Sequence, residues 1–444
     1  MSNKQYYWKS VEELEQDSEL VESLRQKEFV QEIPVDDFFS KKEKLGHSDT
    51  SRRDFLKYIG FSTAAASFVA CEGPVVKSIP YVVQPEQIRP GVSDYYATSI
   101  ADGFDFASVL VKTREGRPIR VMSNKEAPSH NISNARVQAS ILSLYDSFRF
   151  RNPVKKGKEV SWEYVDEEVA KAIQIAKKKD RRVVLLTPTL ASPSTYKLIS
   201  DFSDKVLGVD HIEYDTVSEY AATRAFENVF GVQGLASYDL SKAKTIVSFG
   251  ADFLGDWQGG GFEAGYSKKR FPSKEGMSKH YQIEANMSLT GANADVRLPL
   301  NIAQQKEALL FFVSHLLGRS YDAHLDEKVQ LELKDAASLF SKNPLESVLV
   351  SGIDDIAVQE LVLQVNTHIN SNAFNPSKPI TTRRANPTVI RQLVDDMNAG
   401  NVGVLLMSSV NPVYSLPNSK DFLSGLEKVG FSLTLGLRPD ETTK

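Results

Sequence analysis

The sequence predicts an α/β protein, with a β-rich N-terminal domain followed by α/β domains built on parallel sheets. Three observations carry this. Short apolar runs at 183–186, 245–249, 402–407 and 431–435 are separated by segments with helical periodicity, the pattern of strands covered by helices on both faces. Residues 109–122 alternate apolar and polar around Glu115-Gly116, which reads as a hairpin. The composition, 41% hydrophobic and 25% charged over 444 residues, is that of a folded chain long enough for two or three cores.

Each element follows from its residues. After the hairpin comes a polar loop at 123–134, then an apolar-periodic stretch at 135–145, broken at Arg149-Phe150-Arg151-Asn152-Pro153. Ser161 precedes Trp162-Glu163 as a helix start. From residue 165 strand and helix alternate, with further helices expected at 387–397 and 419–429. In such folds ligands collect at the carboxyl ends of strands, so the loops at 187–194, 250–261 and 408–417 are the places for a site. Gly250-Ala251-Asp252 with Gly259-Gly260-Gly261 offers backbone amides for a phosphate, but no Walker lysine or GxGxxG accompanies them.

The N-terminal region is read separately. Ser51-Arg52-Arg53-Asp54-Phe55-Leu56-Lys57, followed by a short apolar run at 58–70, is a twin-arginine export signal, with Arg52 and Arg53 as its address. Cys71 closes that run after Phe68-Val69-Ala70, like the acylated cysteine of a lipobox, although Phe68 departs from the usual aliphatic residue. Acylation would tether the mature chain to a membrane surface. The first 50 residues form an unusually long leader, with a helix at 11–26 capped by Ser10. No apolar run approaches the roughly 20 residues that span a bilayer.

Composition also excludes. Lys and Arg number 53 against 57 Asp and Glu, for a net charge of -4, which gives no basic field for nucleic acid. Cys71 is the single cysteine of the chain, so a four-cysteine iron–sulfur cluster and an intrachain disulfide are both excluded. The seven histidines are scattered without ligand spacing. No catalytic dyad or triad stands out. The division expected is 1–50 leader, 51–71 signal and lipobox-like cysteine, 72–164 β-rich domain, 165–380 α/β domain, and 381–444 the start of a further unit.

Several stretches resemble the molybdopterin oxidoreductases of the dimethyl-sulfoxide-reductase superfamily. They are Glu115-Gly116-Arg117-Pro118-Ile119, Asn124 with Ala127-Pro128, Leu144-Tyr145-Asp146, residues 149–153, Ser161-Trp162, Ser248-Phe249-Gly250-Ala251-Asp252, residues 294–300, Ser409-Val410-Asn411-Pro412-Val413 and Asp440-Glu441-Thr442. The resemblance implies a molybdopterin-oxidoreductase-like fold. It also places any metal ligand in the region 215–222, where Asp215 and Ser218 are the candidates in the absence of cysteine.

Leader, twin arginines, Cys71 and missing cluster cysteines together resemble the large iron–sulfur subunit of bacterial alternative complex III. That resemblance implies a cofactor-free half that organises the complex without catalysing. Iron–sulfur clusters are then expected in a continuation beyond Lys444, and haem c in multihaem cytochrome partners. The other implied partners are polysulfide-reductase-type membrane subunits, on the periplasmic side of the cytoplasmic membrane. Two alternatives stand beside it: a molybdopterin-dependent reductase of a sulfur or related substrate using Asp215 or Ser218, and a lipid-anchored binding protein acting alone.

Overall fold

The structure is a computed structural model that describes residues 91–102, 105–128, 133–206, 208–272 and 276–443. The leader helix at 11–26, Arg52, Arg53 and Cys71 lie outside the described residues. The described residues fall into two units, 91–94 with 114–117 and those of 95–113 with 118–443. In the first, Glu115 and Gly116 both take positive φ, 52° and 77°, the backbone that a tight hairpin turn demands. Among the described residues no helix is long and apolar enough to cross a membrane.

The β-rich part is a three-stranded sheet in the order β1 (Ser93–Asp102), β2 (Asp105–Arg114), β3 (Arg117–Ser123). Ala107, Val109 and Val121 turn inward against Val137, as period-2 alternation requires. The helix expected at 135–145 is α-helical only over Ala135–Ala139 and 3-10 over Ser140–Tyr145. Ser140 and Ser143 donate their hydroxyls to the carbonyls of Val137 and Ser140, each at 2.7 Å, and such local bonds compete with the α-helical ladder. A two-residue hairpin, β4 (Val154–Lys155) with β5 (Lys158–Glu159), follows.

Ser161 caps the helix Trp162–Lys178, as expected, by accepting from the Tyr164 amide at 3.2 Å. Then come β6 (Arg182–Thr187), β7 (Asp210–Glu213), β8 (Leu235–Tyr238), β9 (Thr245–Phe249), β10 (Lys279–Glu284), β11 (Val296–Pro299), β12 (Ser347–Ser351), β13 (Phe374–Ile380), β14 (Val402–Ser408) and β15 (Phe431–Leu435). They form two four-stranded parallel sheets, β15-β14-β6-β7 and β11-β10-β9-β12, and an antiparallel pair, β8 with β13.

Both sheets are covered on two faces. In the first, Val184, Leu186 and Met407 meet Leu393 and Phe422 on one side, while Val183 and Val404 meet Ile173 and Ala176 on the other. In the second, Phe249 and Ile283 pack on Phe312 and Phe340, and Ile246 and Val350 on Phe253 and Phe262. This double burial is why the strands read as continuous apolar runs.

The second sheet is inserted between strands of the first. Strand β14 lies beside β6, with Val404 opposite Val183 and Met407 opposite Leu186, and β15 lies beyond β14. The boundary drawn at residues 380 and 381 therefore cuts through one sheet, and residues 381–443 complete that sheet instead of opening a further unit. Apolar runs of this kind carry no label for the sheet they join, so sequence order suggested a partition that strand pairing does not follow.

Candidate functional site

Each sheet has a point where the chain reverses its winding, and the loops there are the places for ligands. In the first sheet the reversal falls between β6 and β14, and the adjoining carboxyl ends of β6 and β7 hold a buried polar cluster around Asp215. Its Oδ1 accepts from the Thr189 amide at 2.9 Å and its Oδ2 from the Thr189 hydroxyl at 2.7 Å. Oδ2 also accepts from the Ala385 amide at 3.4 Å, and the Arg384 amide donates to Thr189 Oγ1 at 2.9 Å. Three segments far apart in sequence are thus tied by one carboxylate.

Arg383, beside Ala385, is 3% exposed. Burial lowers its guanidinium from the ordinary arginine value, against the opposing pull of Asp215, Glu219 and Asp105. Burial pushes the Glu219 carboxyl up to about 7, against Arg383 and with the help of Asp354. Ser218 is exposed, and its hydroxyl accepts from the Tyr220 amide at 3.2 Å. The two residues predicted as candidate metal ligands are therefore separated by environment, one buried in a saturated network and one at a helix start. Among the described residues no group of three or more His, Asp or Glu side chains is placed to hold a metal ion.

At the same end of this sheet the Asn-Pro loop and the Asp440-Glu441-Thr442 segment, singled out separately in the sequence, come together. Asn411 Nδ2 donates to Glu441 Oε2 at 2.7 Å, and the Thr442 hydroxyl donates to Asn411 Oδ1 at 2.6 Å. Val413 adds its amide to Thr442 Oγ1 at 3.2 Å.

In the second sheet the reversal falls between β9 and β12, and there the two loops touch. A Cβ on Gly352 would sit 2.4 Å from the Gly250 carbonyl oxygen, so backbone fills the crevice. Asp252 Oδ1 accepts from the amide and hydroxyl of Thr290 at 3.0 and 2.7 Å, which fixes the short helix Leu289–Ala292. The phosphate cradle considered for Gly250-Ala251-Asp252 is not formed there.

The glycines at 259–261 instead wall a cleft of about 270 Å³, shared with Asp105, Asn134, Tyr238 and Thr382. All three take positive φ. The Gly259 and Gly260 amides donate to Asp256 and Trp257 carbonyls at 2.9 and 3.0 Å, so neither is offered to an anion. Arg136 reaches the Gly259 carbonyl at 3.3 Å, but its guanidinium is locked onto both oxygens of Asp105 at 2.8 and 2.9 Å. Gln258, also at the cleft, sits in the left-handed region at φ 50°, and its Oε1 is buried without a hydrogen-bond partner. Neither that strain nor that atom has a signature in the sequence.

Of the histidines, His280 is a satisfied core residue. It is buried between the Tyr266 hydroxyl at 3.1 Å and Gln282 Oε1 at 3.3 Å, and burial pushes it down to about 4.

No family model matches the sequence. Two curated proteins are similar to it. The molybdopterin-containing subunit of arsenate respiratory reductase from Shewanella sp. strain ANA-3 is 24% identical over 298 residues, 62% of this chain and 33% of that protein. The molybdopterin-binding-like subunit of menaquinone reductase from Nitratidesulfovibrio vulgaris is 26% identical over 220 residues, 46% of this chain and 31% of that protein. The chain spans about a third of the length of these relatives. Among solved structures, acetylene hydratase from Pelobacter acetylenicus aligns with a TM-score of 0.54 at 11% identity, over 76% of this chain and 60% of the other. The fold is molybdopterin-oxidoreductase-like α/β, and the similar curated proteins are subunits of molybdopterin-type reductases.

The similar curated proteins are named as molybdopterin-containing or molybdopterin-binding-like, and of the two candidate metal ligands Asp215 does not fit that role. Asp215 has both oxygens bonded to protein donors and interacts electrostatically with the buried Arg383 guanidinium, so a metal there would add positive charge near Arg383. The chain's one cysteine is far from this loop in sequence, at position 71.

Proposed function

We propose that the chain is the non-catalytic half of an electron-transfer subunit in a membrane-associated quinol oxidoreductase, alternative complex III. In this reading it positions iron–sulfur and haem c centres carried by a continuation of the chain and by neighbouring subunits. The observation that carries the reading is the Asp215 network: at the position where the resemblance would put a metal ligand, the Asp215 carboxylate is taken up by Thr189 and Ala385 and balanced by Arg383. The cysteine count supports it, since a chain with one cysteine holds no four-cysteine cluster to pass electrons to a metal. Similarity to a menaquinone reductase subunit named as molybdopterin-binding-like supports a place in quinone chemistry.

The remaining parts of the reading concern location. Export by Arg52 and Arg53 puts the chain on the periplasmic side, and acylated Cys71 holds it at the membrane beside multihaem cytochromes and polysulfide-reductase-type subunits. Elemental analysis of the assembly purified from membranes tests the central claim. Iron is expected without stoichiometric molybdenum; about one molybdenum per chain, or an extractable pterin, would replace this reading with that of a molybdopterin-dependent reductase.

A further inference from the structure

The stretch from 142 to 164 is out of keeping with the rest of the surface. Leu142 is 68% exposed, Phe148 84% and Trp162 59%, and Leu144, Tyr145 and Phe150 are exposed with them. Leu437, 65% exposed, adjoins this stretch through the bond from the Phe150 amide to its carbonyl at 2.8 Å. Large apolar side chains contribute roughly 150–250 Å² each when aromatic. These exposures leave on the order of 800 Å² open to water, about what one partner contributes to a standard protein interface. Isolated monomers rarely carry so much in one place.

Fixed bonds hold the ribbon in shape. The Tyr145 hydroxyl donates to the Pro118 carbonyl at 2.5 Å, the Phe148 amide to Asp146 Oδ1 at 2.9 Å, and Asp146 is ion-paired with Arg438. A surface ordered before binding loses less entropy when a partner arrives.

Its unpaired charges are in positive excess, four cations against the exposed carboxylates of Glu159 and Glu163. Asp146 is held by Arg438, and Lys155 is spent on Glu168 at 3.0 Å. Arg149, Arg151, Lys156 and Lys158 are exposed and form no ion pair among the described residues. Arginine interleaved with Phe, Tyr and Trp is the composition of interface hot spots.

We propose that this ribbon is a docking face for a second protein surface, one with an apolar centre ringed by carboxylates. The inference rests on the reading of the chain as part of a multi-subunit complex and extends it by locating a contact. Molybdenum content, which decides the non-catalytic claim, plays no part in its test.

The test is hydroxyl-radical footprinting of the full chain, alone and in the assembly purified from membranes through a tag on this chain. Phe148 and Trp162 are expected to be oxidised at least tenfold more slowly in the assembly. The exposed-site variants Phe148→Glu and Arg149→Glu/Arg151→Glu should keep the melting temperature of the isolated chain and reduce recovery of the assembly at least tenfold, the charge variant in a salt-dependent manner. Equal oxidation in both states overturns the proposal, as does normal assembly of both variants. Protection of the isolated chain by phosphatidylglycerol vesicles would assign the face to a membrane, and protection on self-association would assign it to a second copy; either result replaces the proposal.

Discussion

Thr189 clasps Asp215 with two donors, its amide at 2.9 Å and its hydroxyl at 2.7 Å, and joins two loops 26 residues apart. Both residues are buried, so the pair has no water to fall back on. Asp215→Ala strands three donors, the Thr189 amide and hydroxyl and the Ala385 amide, and removes a counter-charge from Arg383, a change expected to cost about 3–5 kcal/mol of unfolding free energy. Asp215→Asn keeps one acceptor and should cost less. Urea titration of the folded chain reads both, and a loss below about 1 kcal/mol for the alanine variant would show that the carboxylate is not the tie it is described to be.

Glu219 makes the same cluster sensitive to pH. Its folded value lies near 7, above the ordinary 4.5, because burial disfavours its charge more than Arg383 favours it. The folded state therefore holds a proton that the unfolded chain has released. The contribution is complete below about 4.5 and is lost as pH rises through 7, a fall of about 3–4 kcal/mol at roughly 1.4 kcal/mol per pH unit. Glu219→Gln removes this dependence: the variant should match the parent near pH 4.5 and exceed it by about 3–4 kcal/mol at pH 8. A parent that gains on the variant between pH 5 and 7 would reverse the sign assigned here.

Much of this architecture is legible in the sequence, for a reason visible in single residues. Val183 and Val404 are buried on the same face of a sheet covered on both sides, and that burial writes itself as an apolar run. Ser161, as an N-cap, marks its helix to the residue. Which strands pair is a different matter, because Val404 opposite Val183 is a relation across more than 200 residues that no local pattern encodes. The site divides in the same way. Asp215 stands out as a polar residue at a strand's carboxyl end, but its saturation by Thr189 and Ala385 depends on segments brought together only by folding. Arg383 and Glu219 carry no motif, and burial is the main cause of their altered proton affinity.

Gly352 tests the closed crevice of the second sheet. A Cβ there would lie 2.4 Å from the carbonyl oxygen of Gly250 and 2.8 Å from its carbonyl carbon, and neither backbone atom can swing aside as a side chain would. Gly352→Ala is expected to destabilise by about 3 kcal/mol or more, at the upper end of overpacking costs. Thermal unfolding would register this directly. An unchanged melting temperature would mean that the two loops are further apart, leaving room for a ligand at the β9–β12 reversal.

The cleft beside the glycines gives a prediction of the opposite sign. Gln258 takes φ 50° and ψ 29° without being glycine, and its side-chain oxygen is buried with no donor. Left-handed backbone costs a side-chain-bearing residue about 1 kcal/mol or more, and a buried unpaired amide oxygen adds about 1–3 kcal/mol. Gln258→Gly removes both, so the isolated chain should gain about 1–2 kcal/mol after the greater backbone entropy of glycine in the unfolded state is subtracted. Strain of this kind persists only where the surroundings impose it, here the turn bonds from Gly259 to Asp256 and from Gly260 to Trp257. Urea unfolding of the two proteins decides the matter: a destabilised Gln258→Gly would mean that the side chain supports the cleft wall and that its oxygen finds a partner in solution.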